Sequence, residues 1–181
     1  MIIRDNVVSE QYQQHIQSII TNTDFPWTFL PEVTTYNSEG GKAQSAFSHI
    51  AFSDRVISKY YDIFYSLLLS ICGQIKFSIK DLYRIRIGCL LQTNIEEPNN
   101  WHIDYPTKHY TMLYYINNCD GDTYLKNNES YTRISPKAGR VLLFDGPTLH
   151  ASSNPVSSPY RFVITFNFTG QFYENSEDIP N

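Results

Sequence analysis

At 181 residues the chain has the length of one domain and enough material to bury a sizeable core. A formal net charge of −4 gives no broad attraction to phosphate backbones or anionic lipid, which disfavours nucleic acid and membranes as partners. The 14 tyrosines and 11 phenylalanines suit pleated, half-buried strands, so a mainly β core is expected.

The N-terminus, MIIRDNVVSEQYQQ, lacks the basic start and long apolar run of an export signal. The most apolar window, SLLLSICG, is too short to span a bilayer, and a soluble, cytoplasmic protein is expected. Between residues 7 and 20, Val8, Tyr12, Ile16, Ile19 and Ile20 recur at helical spacing, with Ser9 placed as an N-cap, which predicts a first helix docked on the core. The following TTYNSEGGKAQSAF, with paired glycines in a polar context, reads as a loop flanked by short strands. Trp27, Tyr36 and this loop are read as surface features in preference to a substrate lid. A second helix is predicted from Asp54 to Cys72, capped by Ser53 and ended by Gly73, with Val56, Ile57, Tyr60, Tyr61, Phe64, Leu68 and Ile71 on its buried side. Cys72, Cys89 and Cys119 are odd in number and show no CxxC spacing, so they read as reduced thiols.

From Tyr83 the texture becomes a series of short β-type runs: YRIRIGCLLQ, HYTMLYYIN, DTYLK, YTRIS, RVLLFD and YRFVITFNFTG. Turn-forming clusters separate them, among them EEPNN, NNCDGD, SPKAG and SSNPVSSP. No helix of useful length fits between the runs, which disfavours parallel winding and favours an antiparallel sandwich or jelly roll. The tail, ENSEDIPN, is polar and expected to fray.

Within NNWHIDYPTKHYTMLYYIN, His102 and Asp104 are separated by one residue. His-x-Asp arises by chance about a quarter of the time in a chain of this composition, so the pair alone is weak. On an extended strand, however, residues i and i+2 share a face with Cα atoms roughly 6.6 Å apart, and both side chains reach one ion. His150, after the turn FDGPTLH, is the candidate third ligand. Two imidazoles and one carboxylate with open positions form the facial triad of non-haem Fe(II) oxygenases, and similar sets serve zinc hydrolases. In RFVITFNF, Phe162, Ile164, Phe166 and Phe168 fall on one face of a strand, with Arg161, Val163, Thr165 and Asn167 on the other. If the phenylalanines pack under the helices, Arg161 faces the interior, where a guanidinium requires an anionic partner.

Taken in order, WHID, HYTMLYYIN, CDGDTYL, SPKAGRVLLFDGPTLHA and YRFVITFNF resemble the catalytic core of the Fe(II)- and 2-oxoglutarate-dependent dioxygenases, nearest the prolyl hydroxylase branch. The resemblance spans residues 83–170. It implies a mainly β (α+β) fold with a double-stranded β-helix core, a cupin-like jelly roll, supported by N-terminal helices. The whole of 1–181 would be one domain, with residues 1–80 as helical support and loop region and 171–181 as tail. It implies Fe(II) on His102, Asp104 and His150, Arg161 on the distal carboxylate of 2-oxoglutarate, and Tyr115 and Thr165 beside that cosubstrate. With O2 as oxidant, the implied reaction hydroxylates a substrate and releases succinate and CO2. Before His-x-Asp this chain reads LLQTNIEEPNNW where relatives often carry a tyrosine and a glycine-bearing turn, so Gln92 or Trp101 is expected to replace those contacts. Asp104 argues against halogenating relatives, which need that ligand position vacant. A prolyl residue of a peptide or protein is the first substrate reading, and a free amino acid or other small molecule the second. A non-catalytic metal-binding or sensor protein on the same fold is the third.

Overall fold

A computed structural model describes residues 1–32 and 44–173. Along the chain run β1 (Ile2–Arg4), α1 (Glu10–Ile20), β2 (Thr28–Leu30), β3 (Ala46–Ser53), α2 (Tyr61–Ile75) and β4 (Phe77–Leu91). Then follow β5 (Tyr110–Tyr115), β6 (Thr123–Asn127), β7 (Ser130–Ile134), β8 (Val141–Asp145), β9 (His150–Ser152) and β10 (Tyr160–Phe172). A seven-stranded sheet in the order β1-β8-β5-β10-β4-β3-β2 faces a three-stranded sheet in the order β7-β6-β9, and the paired strands are antiparallel. This is the mainly β jelly roll, with two helices stacked on the outside of the larger sheet.

Alternation along the strands produces two cores. Phe162, Ile164, Phe166 and Phe168 of β10, with Ile85 and Ile87 of β4 and Met112 and Tyr114 of β5, pack beneath Ile16, Ile20, Phe64, Leu67, Leu68 and Ile71 of the helices. On the opposite face, Leu113, Tyr115, Leu142, Phe144 and Val163 meet Leu125 and Ile134 of the smaller sheet. The smaller sheet thus closes over the β8, β5 and β10 part of the larger one.

The first helix begins one residue after Ser9, whose hydroxyl accepts from the Tyr12 backbone N–H at 3.3 Å. The second starts at Tyr61, seven residues later than the apolar spacing suggests. Ser53 is instead the last residue of β3, Asp54 has a left-handed φ of 57°, and Phe52 bridges back to Val56. Val56 and Ile57, whose spacing mimics a helical stripe, are 55% and 50% exposed. Nor does Gly73 end the helix, since it lies inside α2 and Lys76 supplies the left-handed cap at φ 58°, ψ 49°. Strand β4 begins at Phe77, six residues before the apolar run, because Ser78, Asp81 and their neighbours pair with the end of β10 whatever their polarity. The glycine-rich loop at 33–43, with Tyr36, and the tail at 174–181 lie outside the described residues. Among the described residues no helix is long and apolar enough to cross a membrane.

Phe166 is completely buried where β10, β4 and the helices meet. Its replacement by alanine removes packing from both layers and is expected to cost about 3–5 kcal/mol of stability, read from the urea midpoint at unchanged m-value.

Candidate metal centre

The inner face of the larger sheet carries a polar row set by register. Across the β4–β10 ladder, Arg84 lies opposite Asn167, Arg86 opposite Thr165, Gly88 opposite Val163 and Leu90 opposite Arg161. His102 is not in a regular strand, as the i, i+2 argument assumed, but in an isolated antiparallel bridge to His150. Each of the two backbone N–H groups donates to the other residue's carbonyl at 2.9 Å. That bridge brings together residues far apart in sequence and leaves the imidazole rings 4.3 Å apart between centroids.

Asp104 completes the cluster: ligand atoms of His102, Asp104 and His150 all lie within 4.8 Å of one another. Nε2 of His102 is 4.0 Å, and Nε2 of His150 3.9 Å, from the carboxylate oxygens. Each imidazole directs Nδ1 to a backbone carbonyl, His102 to Asn100 at 3.1 Å and His150 to Thr148 at 3.0 Å. With that proton on Nδ1, the Nε2 lone pairs point into the cluster, as a metal requires. Burial, reinforced by the facing His150, pushes the pKa of His102 down to about 4, so the ring is neutral and able to ligate at neutral pH.

Asp104 is oriented by residues that no motif revealed. Arg84 Nη2 donates to one carboxylate oxygen at 2.6 Å, while Asn167 Nδ2 at 2.8 Å and the Thr111 hydroxyl at 3.3 Å donate to the other. Arg84 Nε also donates to Asn167 Oδ1 at 2.9 Å, so the arginine and the amide brace each other. Burial alone would raise the Asp104 carboxyl, but Arg84, the two imidazoles and the Asn167 bond hold it well below the usual carboxylate range. The carboxylate is anionic and fixed in direction.

The same cavity is lined by Arg161, Thr123, Thr165 and the three cluster residues. Arg161 is 3% exposed; its Nη2 donates to the Thr123 hydroxyl at 2.9 Å, and its guanidinium lies 5.7 Å from the Tyr115 ring centre. Arg161 Nε has no hydrogen-bond partner, and among the described residues no carboxylate pairs with this arginine. A buried cation with an orphaned donor fits an anionic cosubstrate end, which the planar fork of arginine receives well. Tyr115 is fully buried and does not line the cavity; its hydroxyl donates to Thr123 at 2.7 Å and so acts through that residue. Sequence reasoning missed Thr123, although its place in DTYL, on a strand facing β10, is a usable signal. Gln92 and Trp101 do not take up the expected contacts. The Gln92 amide is drawn to the Val156 carbonyl at 2.6 Å, and Trp101 packs on Tyr124 and Tyr131, so both side chains leave the cavity.

The donor set suits iron: two imidazoles and one carboxylate gathered on one side of the cavity, with the Arg161 guanidinium lining it too. A profile of the 2OG-Fe(II) oxygenase superfamily matches residues 91–169. No curated protein matches the sequence. Among solved structures, a prolyl hydroxylase of Trichoplax adhaerens in complex with a hypoxia inducible factor oxygen degradation domain peptide superposes with a TM-score of 0.68 at 19% identity, covering 92% of this chain and 82% of its own. A 2OG-Fe(II) oxygenase family oxidoreductase from Burkholderia pseudomallei gives 0.72 at 10% identity, with 93% and 84% coverage. The epimerase SnoN from nogalamycin biosynthesis, in complex with Fe3+, alpha ketoglutarate and nogalamycin RO, gives 0.65 at 9% identity, with 99% and 85% coverage.

Replacing Arg84 by methionine keeps the stem and removes the charge that orients Asp104. Affinity for Fe(II), or for Mn(II) as an air-stable stand-in, is expected to fall about 10- to 100-fold in anaerobic titration, with the far-UV circular dichroism retained.

Proposed function

Through residues 91–169 the chain belongs to the 2OG-Fe(II) oxygenase superfamily, prolyl hydroxylase-like in fold, and we propose that it hydroxylates a prolyl residue of a peptide or protein. It is a dioxygenase that uses Fe(II), 2-oxoglutarate and O2. In this reading His102, Asp104 and His150 hold the iron, Arg161 with Thr123 receives the distal carboxylate of 2-oxoglutarate, and Tyr115 and Thr165 support that end. When bound, iron and 2-oxoglutarate would activate O2, the oxidant, one oxygen atom entering succinate as CO2 is lost and the other converting a substrate C–H into C–OH. The observation that carries the reading is the pairing, in one cavity, of the three-residue cluster with a buried arginine that has no carboxylate partner among the described residues.

The chain's own residues bind, orient and exclude water. The Asn100 and Thr148 carbonyls hold the imidazole protons on Nδ1, and Arg84, Asn167 and Thr111 hold Asp104 ionised and aimed. Thr123 fixes the Arg161 fork by accepting from Nη2 while the Tyr115 hydroxyl locks Thr123 in turn. Leu113 and Val163 supply an apolar wall that limits water beside the iron position. Beyond the smaller sheet, the inner face of β4, β3 and β2 forms, among the described residues, an adjoining groove lined by Thr28, Leu30, Ser48, Ile50, Arg84 and Arg86, and a substrate reaches the cavity along it.

A small-molecule substrate is the second reading, favoured by the fold's likeness to SnoN in complex with nogalamycin RO. The non-catalytic reading predicts no succinate release, and a zinc site would be revealed by metal analysis of purified protein.

Anaerobic addition of Fe(II) and 2-oxoglutarate to metal-free protein is expected to produce the visible charge-transfer band of a chelated 2-oxo acid. Asp104→Ala should abolish the band and turnover; Arg161→Gln should raise the 2-oxoglutarate needed for half the band by about tenfold or more. A folded wild-type protein that gives no band overturns the assignment. Gain of one oxygen on a proline of a test peptide, read by mass spectrometry, separates the prolyl reading from the small-molecule one.

A further inference from the structure

Arg86 sits in the middle of the polar row, opposite Thr165 on one side and Ile50 of β3 on the other. Its Nε donates to the Ser48 hydroxyl at 2.9 Å. Among the described residues its two terminal nitrogens have no protein acceptor and no carboxylate pairs with them. Burial, together with Arg84 and Arg161, pushes its pKa down to about 10, against the pull of Asp104; at neutral pH it stays charged. Arg86 lines both the cavity that holds His102, Asp104, His150 and Arg161 and the adjoining groove.

The proposed chemistry leaves this cation unused. Arg84 belongs to Asp104 and Arg161 to the distal end of 2-oxoglutarate. Three guanidiniums and a divalent iron outweigh one carboxylate and a dianionic cosubstrate, so the loaded site keeps positive charge in excess. A half-buried guanidinium whose Nε is tied to Ser48 and whose terminal nitrogens have no acceptor among the described residues is placed to receive two oxygens of a single planar anion. Ala46 and Leu113, which line the same cavity, are apolar and offer no second receptor.

We propose that Arg86 anchors the substrate, and that the substrate is an amino-acid unit with a free α-carboxylate. Because Arg86 lines the same cavity as the three metal-binding residues, the carboxylate and the oxidised carbon lie on one small unit, not on separate residues of a long peptide. A free amino acid and the C-terminal residue of a peptide both present that group, and an internal residue does not. The inference rests on the oxygenase reading and narrows its substrate.

The test uses protein loaded with Fe(II) and 2-oxoglutarate and measures succinate above the substrate-free background. The probes are the twenty L-amino acids, their Gly-X dipeptides and the amide of each. At least one acid should stimulate succinate release about tenfold more than its amide. Response to a free acid identifies a free amino acid as substrate; response confined to a dipeptide acid identifies a peptide C-terminus. Arg86→Gln should raise KM for that acid about tenfold or more, with the 2-oxoglutarate dependence of the anaerobic band unchanged and Arg86→Lys recovering part of the loss. Equal response to acids and amides, or no response to any acid, overturns the proposal. So does a loss of 2-oxoglutarate binding in Arg86→Gln matching that in Arg161→Gln, which would make Arg86 a cosubstrate ligand. An absent band in the wild type would remove the oxygenase reading itself, and the proposal with it.

Discussion

The long antiparallel ladder between β4 and β10 is the constraint on which the rest of the molecule depends. From Arg161 to Phe168 the side chains of β10 alternate, so the register sends Phe162, Ile164, Phe166 and Phe168 beneath the helices and Arg161, Val163, Thr165 and Asn167 toward the smaller sheet. A slip of one residue would exchange the two sets, placing aromatic rings in the cavity and a guanidinium under the helices. The packing of β10 against α1 and α2 therefore also sets the direction of Arg161 and Asn167. Stability and site geometry share one source.

Electrostatics on the inner face follow from the same register. Arg84, Arg86 and Arg161 line up on one surface, and like charges so placed in a partly desolvated cavity repel. Each has a different answer to that repulsion. Arg84 pairs with Asp104; Arg161 shares Thr123 with Tyr115; Arg86 leans on Ser48 and, among the described residues, has no acceptor for its terminal nitrogens. A face assembled this way favours anions from outside the chain, in keeping with a dianionic cosubstrate at one end.

The candidate metal cluster depends on a different kind of contact. His102, which lies outside any regular strand, meets His150, the first residue of β9, through a single bridge of two backbone hydrogen bonds, with Asp104 just past it. Such an arrangement has little rigidity of its own. It is held from behind by Arg84, Asn167 and Thr111, which belong to β4, β10 and β5, the central strands of the larger sheet. The sheet thus lends its rigidity to a loop-borne site, as precise ligand geometry demands.

Much of this was legible in the sequence, because the signals were local. Alternation in YRFVITFNF, the N-cap at Ser9, the His-x-Asp spacing and the position of His150 after a turn are properties of short segments, read without knowing what lies opposite. The start of α2 was misplaced because apolar spacing over residues 54–60 looks the same in a helix and in a turn, and only the bridge from Phe52 to Val56 distinguishes them. The partners of the site were not legible for a related reason. Arg84 lies 20 residues from Asp104, Thr123 lies 38 residues from Arg161 and Asn167 lies 63 residues from Asp104. Their contacts exist only once strand register is set. By itself the sequence determined the strand alternation, the candidate ligands and the mainly β character, since these depend on neighbours along the chain. Which cation meets which anion, and that Arg86 meets none among the described residues, only the tertiary structure decided, because those pairings depend on neighbours across the sheet.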